Sequence, residues 1–168
     1  TTGIACCLVI FQYVQFELSF DQFHAKKDRI YRVNYDMTMA GSQTISPSVP
    51  VFVGPHLKAQ FPEVEGAVRY LDAFSERTLA YGDKVFDETG FAWVDSNFFQ
   101  VFDFQATQGS LRAALSRPGT LVITQSMARK YFGDKDPIGK MILYNNTREL
   151  EVTAVMESDT PPVFFTQV

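Results

Sequence analysis

The 168-residue chain carries 15 Lys and Arg against 19 Asp and Glu, a net charge of −4, so its electrostatics give no reason to expect nucleic acid. An apolar content of 46% with 16 Phe excludes a disordered chain, and the length fits one domain plus a tether, or one domain with a small inserted lobe. The only cysteines, Cys6 and Cys7, are adjacent, which suits neither a framework disulfide nor a metal site.

None of the charged residues precedes Glu17. As a helix, Thr1 to Phe16 spans roughly 24 Å at about 1.5 Å per residue, short of a hydrocarbon core of roughly 30 Å. The segment reads as the outer end of a transmembrane helix whose beginning is missing. A buried soluble helix and the apolar part of a signal peptide are the competing readings. The signal reading lacks a basic region before the segment and a small-x-small cleavage site after it, and a lipoprotein site at Gly3-Ile4-Ala5-Cys6 lacks an apolar stretch upstream.

Tyr31, Val33, Tyr35, Met37 and Met39 then alternate with Arg32, Asn34, Asp36 and Thr38, the period of a half-buried strand. Gly41 to Ser48 reads as a loop, and Pro50 to Phe61 as a short helix stopped by Pro62. Val64 to Leu71 predicts a second strand, closing a β-α-β unit. Thr78 to Tyr81 and Val85 to Phe91 flank Gly82-Asp83, a two-residue loop suited to a tight hairpin inside a β-rich insertion. Asp95 or Ser96 caps a helix through Val101, with Phe98, Phe99 and Phe102 on its apolar face, and Phe104 to Thr107 suggests a strand.

In the last third, Leu121-Val122-Ile123 predicts a buried strand and Thr124 the cap of a helix from Gln125 to Phe132, with Gly133 ending it. A turn at Asp136-Pro137-Ile138-Gly139 precedes a strand Met141 to Tyr144, a turn at Asn145-Asn146, and a strand Leu150 to Met156. Two β-α-β units around a β-rich insertion imply an α+β domain with two lobes.

Chemical motifs are sparse. Gly133 to Lys140 fails as a phosphate loop: five residues separate Gly133 from Gly139 where four are needed, and Met141 replaces the magnesium-binding hydroxyl. As a calcium loop the same stretch puts Ile138 at a ligand position and Asn145 where a bidentate Glu belongs, so a capped turn is the better reading. His24 and His56, the only histidines, lie in no metal-ligand spacing and read as boundary or surface residues. Glu63 and Glu65 would share a strand face, yet no nucleophile accompanies them, and no GxSxG occurs. The residues assign no catalytic, cofactor-binding or metal site, no cofactor, and no enzyme activity.

A family resemblance carries more. The run Glu17-Leu18-Ser19-Phe20-Asp21-Gln22-Phe23-His24, followed by Asp28-Arg29-Ile30-Tyr31-Arg32-Val33, resembles the start of the MacB-like periplasmic core domain of FtsX-type ABC transporter permeases, in the form carried by Bacteroidetes members. The likeness continues through Phe61-Pro62-Glu63-Val64, Ala67-Val68-Arg69, Val94-Asp95-Ser96-Asn97-Phe98-Phe99, Phe102-Asp103-Phe104, Gly109 and Ala114-Leu115. It is strongest over Val122-Ile123-Thr124-Gln125 to Ala128 and Tyr131-Phe132-Gly133, followed by Pro137-Ile138-Gly139-Lys140, and ends near Val152-Thr153-Ala154-Val155. Phe20, Gln125 and Ala154 stand where the family usually has Tyr, Glu and Gly. After Pro161-Pro162 the tail departs from the expected Asn-Ser-His continuation.

The resemblance implies the end of a first transmembrane helix and its stalk over residues 1–23, a periplasmic core domain over 24–162 with a β-rich insertion near 74–94, and a divergent or truncated tail over 163–168. It implies a bacterial inner-membrane location with the globular part in the periplasm, coupling ATP-driven motion to export (efflux) or to periplasmic substrate or partner handling. Implied partners are a cytoplasmic ABC ATPase subunit that hydrolyses the ATP, a second permease copy in a dimer, the membrane, and a periplasmic adaptor or membrane fusion protein; nucleic acid is not implied. The alternative from another class is a membrane-anchored extracytoplasmic sensor or ligand-binding domain.

Overall fold

A computed structural model describes residues 2–19, 22–39, 41–157 and 164–167. Phe20 and Asp21 of the family-like run, the Pro161-Pro162 pair, and Val163 and Val168 of the tail lie outside the described residues. The chain divides into two units, Thr1–Tyr31 and Arg32–Val168.

The first unit holds helix α1 (Thr2–Ser19) and a 3-10 turn, Lys27–Arg29. Ile4, Leu8, Val9, Ile10, Tyr13 and Phe16 are all exposed, and at about 100° per residue they surround the helix rather than forming one stripe. At about 1.5 Å per residue α1 is about 27 Å long, and among the described residues no helix is long and apolar enough to cross a membrane. Like Phe16, Phe23 is exposed. Within residues 1–23, implied to be a helix end and stalk, α1 spans Thr2–Ser19 and Gln22 and Phe23 lie in a turn.

In the second unit the described elements follow in the order β1 (Tyr35–Met39), β2 (Ser42–Ser46), α2 (Val53–Gln60), β3 (Tyr70–Asp72), β4 (Arg77–Tyr81), β5 (Lys84–Glu88), β6 (Phe91–Val94), α3 (Phe98–Val101), β7 (Ala106–Gly109), α4 (Leu111–Ala114), β8 (Thr120–Thr124), α5 (Gln125–Phe132), β9 (Met141–Tyr144), β10 (Arg148–Met156) and β11 (Phe164–Gln167). This is the α+β class that the sequence pattern implies. Strands β1 and β2 form a separate two-stranded sheet. The others make one nine-stranded sheet ordered β3-β6-β11-β8-β10-β9-β4-β5, with β7 on β10.

The sheet is the middle of three layers. Strand β8 is buried along its whole length because both faces are covered. Its Leu121 and Ile123 pack with Met127, Tyr131 and Phe132 of α5, while Val122 joins Phe98, Phe99, Leu111 and Leu115 on the opposite face. On β10, Val152 and Val155 lie in the α5 layer and Ala154 in the other. That change of phase follows from the register shift between Val152 and Ala154 in the ladder with β8, since one extra residue reverses the side-chain alternation.

The last third forms as the residues dictate. Helix α5 has its expected bounds, Thr124 Oγ1 accepts from the Met127 N–H, and Gly133 adopts φ 63° where a side chain would be strained. Strands β8 and β10 are parallel, so β8, α5 and β10 make a crossover unit with β9 in its connection. Asn145 and Asn146 take the positive φ values that the turn requires. The two-residue loop at Gly82-Asp83 likewise closes the hairpin of β4 and β5, and β4 pairs with β9, so the hairpin forms one edge of the large sheet.

The first third differs from its expectations. The strand predicted over Tyr31 to Met39 begins at Tyr35 and is not half-buried: four of its five residues are exposed. The predicted loop contains β2, which pairs with β1. Of the predicted strand Val64 to Leu71 only Tyr70 and Leu71 lie in a ladder, within β3 (Tyr70–Asp72). The strands on either side of α2 therefore lie in different sheets. Alternation in the sequence is satisfied by a local hairpin partner, without burial of either face.

The tail holds β11, for which no element was expected. It runs parallel to β6 and antiparallel to β8, and it links the β3-β6 pair to the rest of the sheet.

Candidate interaction surface

From Arg32 to Asp72 no described residue is buried. The segment is nevertheless rich in large apolar side chains: Val51 and Phe52 ahead of α2, Phe61 after it, and Tyr70 and Leu71 on β3 are all exposed. Phe74, just beyond, is 89% exposed. Scattered apolar residues on a surface are ordinary, and a run of this length with no burial makes the segment a candidate for interaction.

This segment is fastened at one end by polar contacts. Asp95 accepts from the backbone N–H of Arg69 at 2.9 Å and from Arg69 Nε and Nη2 at 3.0 and 2.5 Å. Asn97 Nδ2 donates to the Ala67 carbonyl at 2.9 Å, and Gly54 at the start of α2 faces Ala67. Partial burial by itself would raise the Asp95 carboxyl, but the Arg69 side-chain and backbone hydrogen bonds and its charge outweigh it and hold the group below the usual carboxylate range. Asp95, expected to cap the following helix, thus binds Arg69 with its side chain and gives its carbonyl to the Phe98 N–H.

The hairpin of β4 and β5 is clamped on α5. Lys84 Nζ donates to the carbonyls of Lys130 and Tyr131, serving the last turn of that helix. Glu88 Oε1 accepts from Tyr131 Oη at 2.8 Å and pairs with Lys130 Nζ at 2.7 Å, and Lys130 also lies 4.2 Å over the Phe86 ring. Burial, then the neighbouring Glu88, pushes the Tyr131 phenol far above its ordinary value, so it stays a donor throughout the physiological range. The Asn145 side chain accepts from the Thr78 N–H, joining the hairpin to the turn after β9.

Among the described residues no group of three or more His, Cys, Asp or Glu is placed to hold a metal ion. A shallow polar depression of about 460 Å3 beside the end of α5 is lined in part by Gln108, Gln125, Arg129, Asp134 and Asp136. Gly133 to Lys140 is a series of turns: the Ile138 N–H donates to Asp136 Oδ1, and Gly139 has φ 75°, as the capped-turn reading required. His24, read as a boundary or surface residue, is buried, with its ring 4.0 Å from that of Phe23. His56 is exposed on α2. Glu63 and Glu65 are exposed and lie before β3, so no strand aligns them. Sequence reasoning missed the exposed segment because its alternating pattern is the one a buried strand would show. The low charge of β2 was the signal available.

The family described as "MacB-like periplasmic core domain" matches residues 1–167. A domain of a permease protein from Porphyromonas gingivalis is 20% identical with a TM-score of 0.61, over 75% of this chain and 55% of that one. The periplasmic region of MacB from Actinobacillus actinomycetemcomitans is 19% identical with a TM-score of 0.52, over 67% of this chain and 51% of that one. The chain thus spans about half the length of these solved structures, and at such identity the likeness is one of fold. No curated protein matches the sequence.

Proposed function

Since the chain belongs to the MacB-like periplasmic core domain family, we propose that it is the extracytoplasmic domain of an ABC transporter permease subunit. In this reading it lies on the outer side of a bacterial inner membrane. A separate cytoplasmic ATPase hydrolyses ATP, the chain itself contributes no catalytic group, and α1 carries displacement from the membrane to the domain. The domain then acts on an exported substrate, or on a periplasmic adaptor, through exposed surface such as the segment Arg32 to Asp72.

The observation that carries the reading is the family match across residues 1–167. Helix α1 supports it, because an apolar surface on all sides suits lipid or neighbouring transmembrane helices and is costly in water. Rigid connection is the mechanical requirement, since a helix transmits displacement along its axis only while its hydrogen-bond ladder is intact.

A Pro or Gly-Gly insertion near Ser19 in the full transporter tests this. The expected result is transport uncoupled from ATP turnover, with the core of the domain still folded. Unchanged transport would rule out coupling through α1, and the absence of an associated ATPase would favour a tethered sensor or ligand-binding domain.

A further inference from the structure

The span from Arg32 to Val64 is bonded to itself. Among the described residues, each of its hydrogen bonds has its partner inside the span: the ladder of β1 and β2 with Gln43 on Asp36, the turn at Ser46 and Ser48, and α2 with the turns at Pro50 and Phe61. None of its described residues is buried. It therefore lacks the packing by which a segment shares the stability of a core.

The join to the sheet lies just beyond, at the corner where β6 leads into α3. Arg69 and Asp95 bond reciprocally there: the Arg69 N–H, Nε and Nη2 donate to the Asp95 carboxylate, and the Asp95 N–H donates to the Arg69 carbonyl at 3.3 Å. Asn97 Nδ2 donates to the Ala67 carbonyl, and Val68 packs against the cluster that contains Val94, Phe98 and Phe99. Three successive residues thus carry the join, Ala67 by its carbonyl, Val68 by its side chain and Arg69 by both. Each of these contacts is modest at a corner that water reaches, because solvent competes for the same polar groups.

We propose that the segment from Arg32 to Val68 parts from this corner as one unit while the core stays folded, with Asp95 as the latch that sets how often it does. Opening breaks the reciprocal bonds of Arg69 and Asp95 and the bond from Asn97, and it uncovers Val68. The ladder of β1 and β2 and the turns of α2 persist, since none of their bonds is made to the corner. The sheet also persists, because from Tyr70 onward the chain is held by the ladder of β3 with β6. In chain order the segment lies between α1 and the core. In the permease reading the latch therefore decides whether displacement reaching Arg32 is passed on or absorbed. The opening itself does not rest on that reading, because its test reads this chain alone.

The full chain is prepared in detergent with Cys6→Ser and Cys7→Ser, and a single cysteine is placed as Val68→Cys at the corner, Val122→Cys in the core, or Val85→Cys on exposed β5. Thiol labelling under native conditions then reads the opening that uncovers each site. Val68→Cys is expected to react more slowly than Val85→Cys and about a hundredfold faster than Val122→Cys, which needs the core to unfold. Adding Asp95→Asn should accelerate Val68→Cys about tenfold more than it accelerates Val122→Cys. Asn97→Ala removes the other bond of the corner and leaves every charge in place. It should act in the same direction by about threefold, and it carries the test if Asp95→Asn does not fold. Labelling of Val68→Cys at the rate of Val122→Cys would mean that the segment leaves only when the whole domain unfolds, and labelling at the rate of Val85→Cys that the corner is not latched. Either result, or equal acceleration of both sites by the latch variants, overturns the proposal.

Discussion

Residues Arg32 to Asp72 and Ala73 to Met156 belong to the same unit, and both contain alternating or amphipathic runs of large apolar residues. In the second stretch those residues become the core, with Leu79, Phe91, Leu121, Ile123, Ile142 and Leu150 fully buried. In the first, no described residue is buried. The difference lies in partners. Strands β6 and β8 have strands on both edges and helices over their faces, whereas β1 and β2 have each other. Apolar periodicity determines which side chains share a face; whether that face is covered depends on what packs against it.

The contrast predicts how stability is distributed. The largest loss is expected from Ile123→Ala, which opens a cavity against α5 and should cost about 2–5 kcal/mol in chemical denaturation. A loss below 1 kcal/mol would mean that the core is looser than its burial indicates.

Next comes Gly109→Ala. Gly109 has φ 74°, and an added Cβ would lie 2.5 Å from the Thr153 carbonyl oxygen, so β7 would have to leave β10 or shift. The expected cost is about 1–3 kcal/mol, read as a lower thermal midpoint. A neutral result would show that β7 contributes little to the sheet.

Asp95→Asn loosens the exposed segment from the core and should cost about 1–2 kcal/mol, discounted because Arg69 is partly exposed to solvent. The Asp95 carboxyl is held below its ordinary range in the folded protein. Its contribution is therefore complete above the unfolded pKa and is lost as pH falls through the lower, folded value. Wild type should lose more stability on acidification than Asp95→Asn, and parallel pH profiles would contradict the pairing.

The smallest effect is expected in the exposed segment itself, where Phe52→Ser should change stability by no more than about 0.5 kcal/mol. If Phe52→Ser destabilised the protein as Ile123→Ala does, the distinction between the two regions would collapse.

How much was legible depended on how local the cause was. Thr124, the four buried residues of α5 and Gly133 carry their own cap, face and stop within ten residues, so that helix could be read to its ends. The hairpin at Gly82-Asp83 and the turn at Asn145-Asn146 were equally local, because backbone sterics single out the residues at such turns. The interaction surface was not legible, since Tyr35, Met37 and Met39 have the spacing of core residues and lack only a covering layer. Nor was β11 legible: four residues offer little pattern, and their place between β6 and β8 depends on strands far earlier in the chain.

The sequence by itself determined the α+β class, the uncharged run that forms most of α1, the capped helix α5 with its flanking strands, and the family resemblance. Each is written in residues close together in the chain, where periodicity, capping and turn sterics act. Only the tertiary structure decided that β4 and β5 join the large sheet through β9, that β11 connects its two parts, and that Arg32 to Asp72 stays uncovered. Those outcomes depend on pairings between distant segments, which no local propensity encodes.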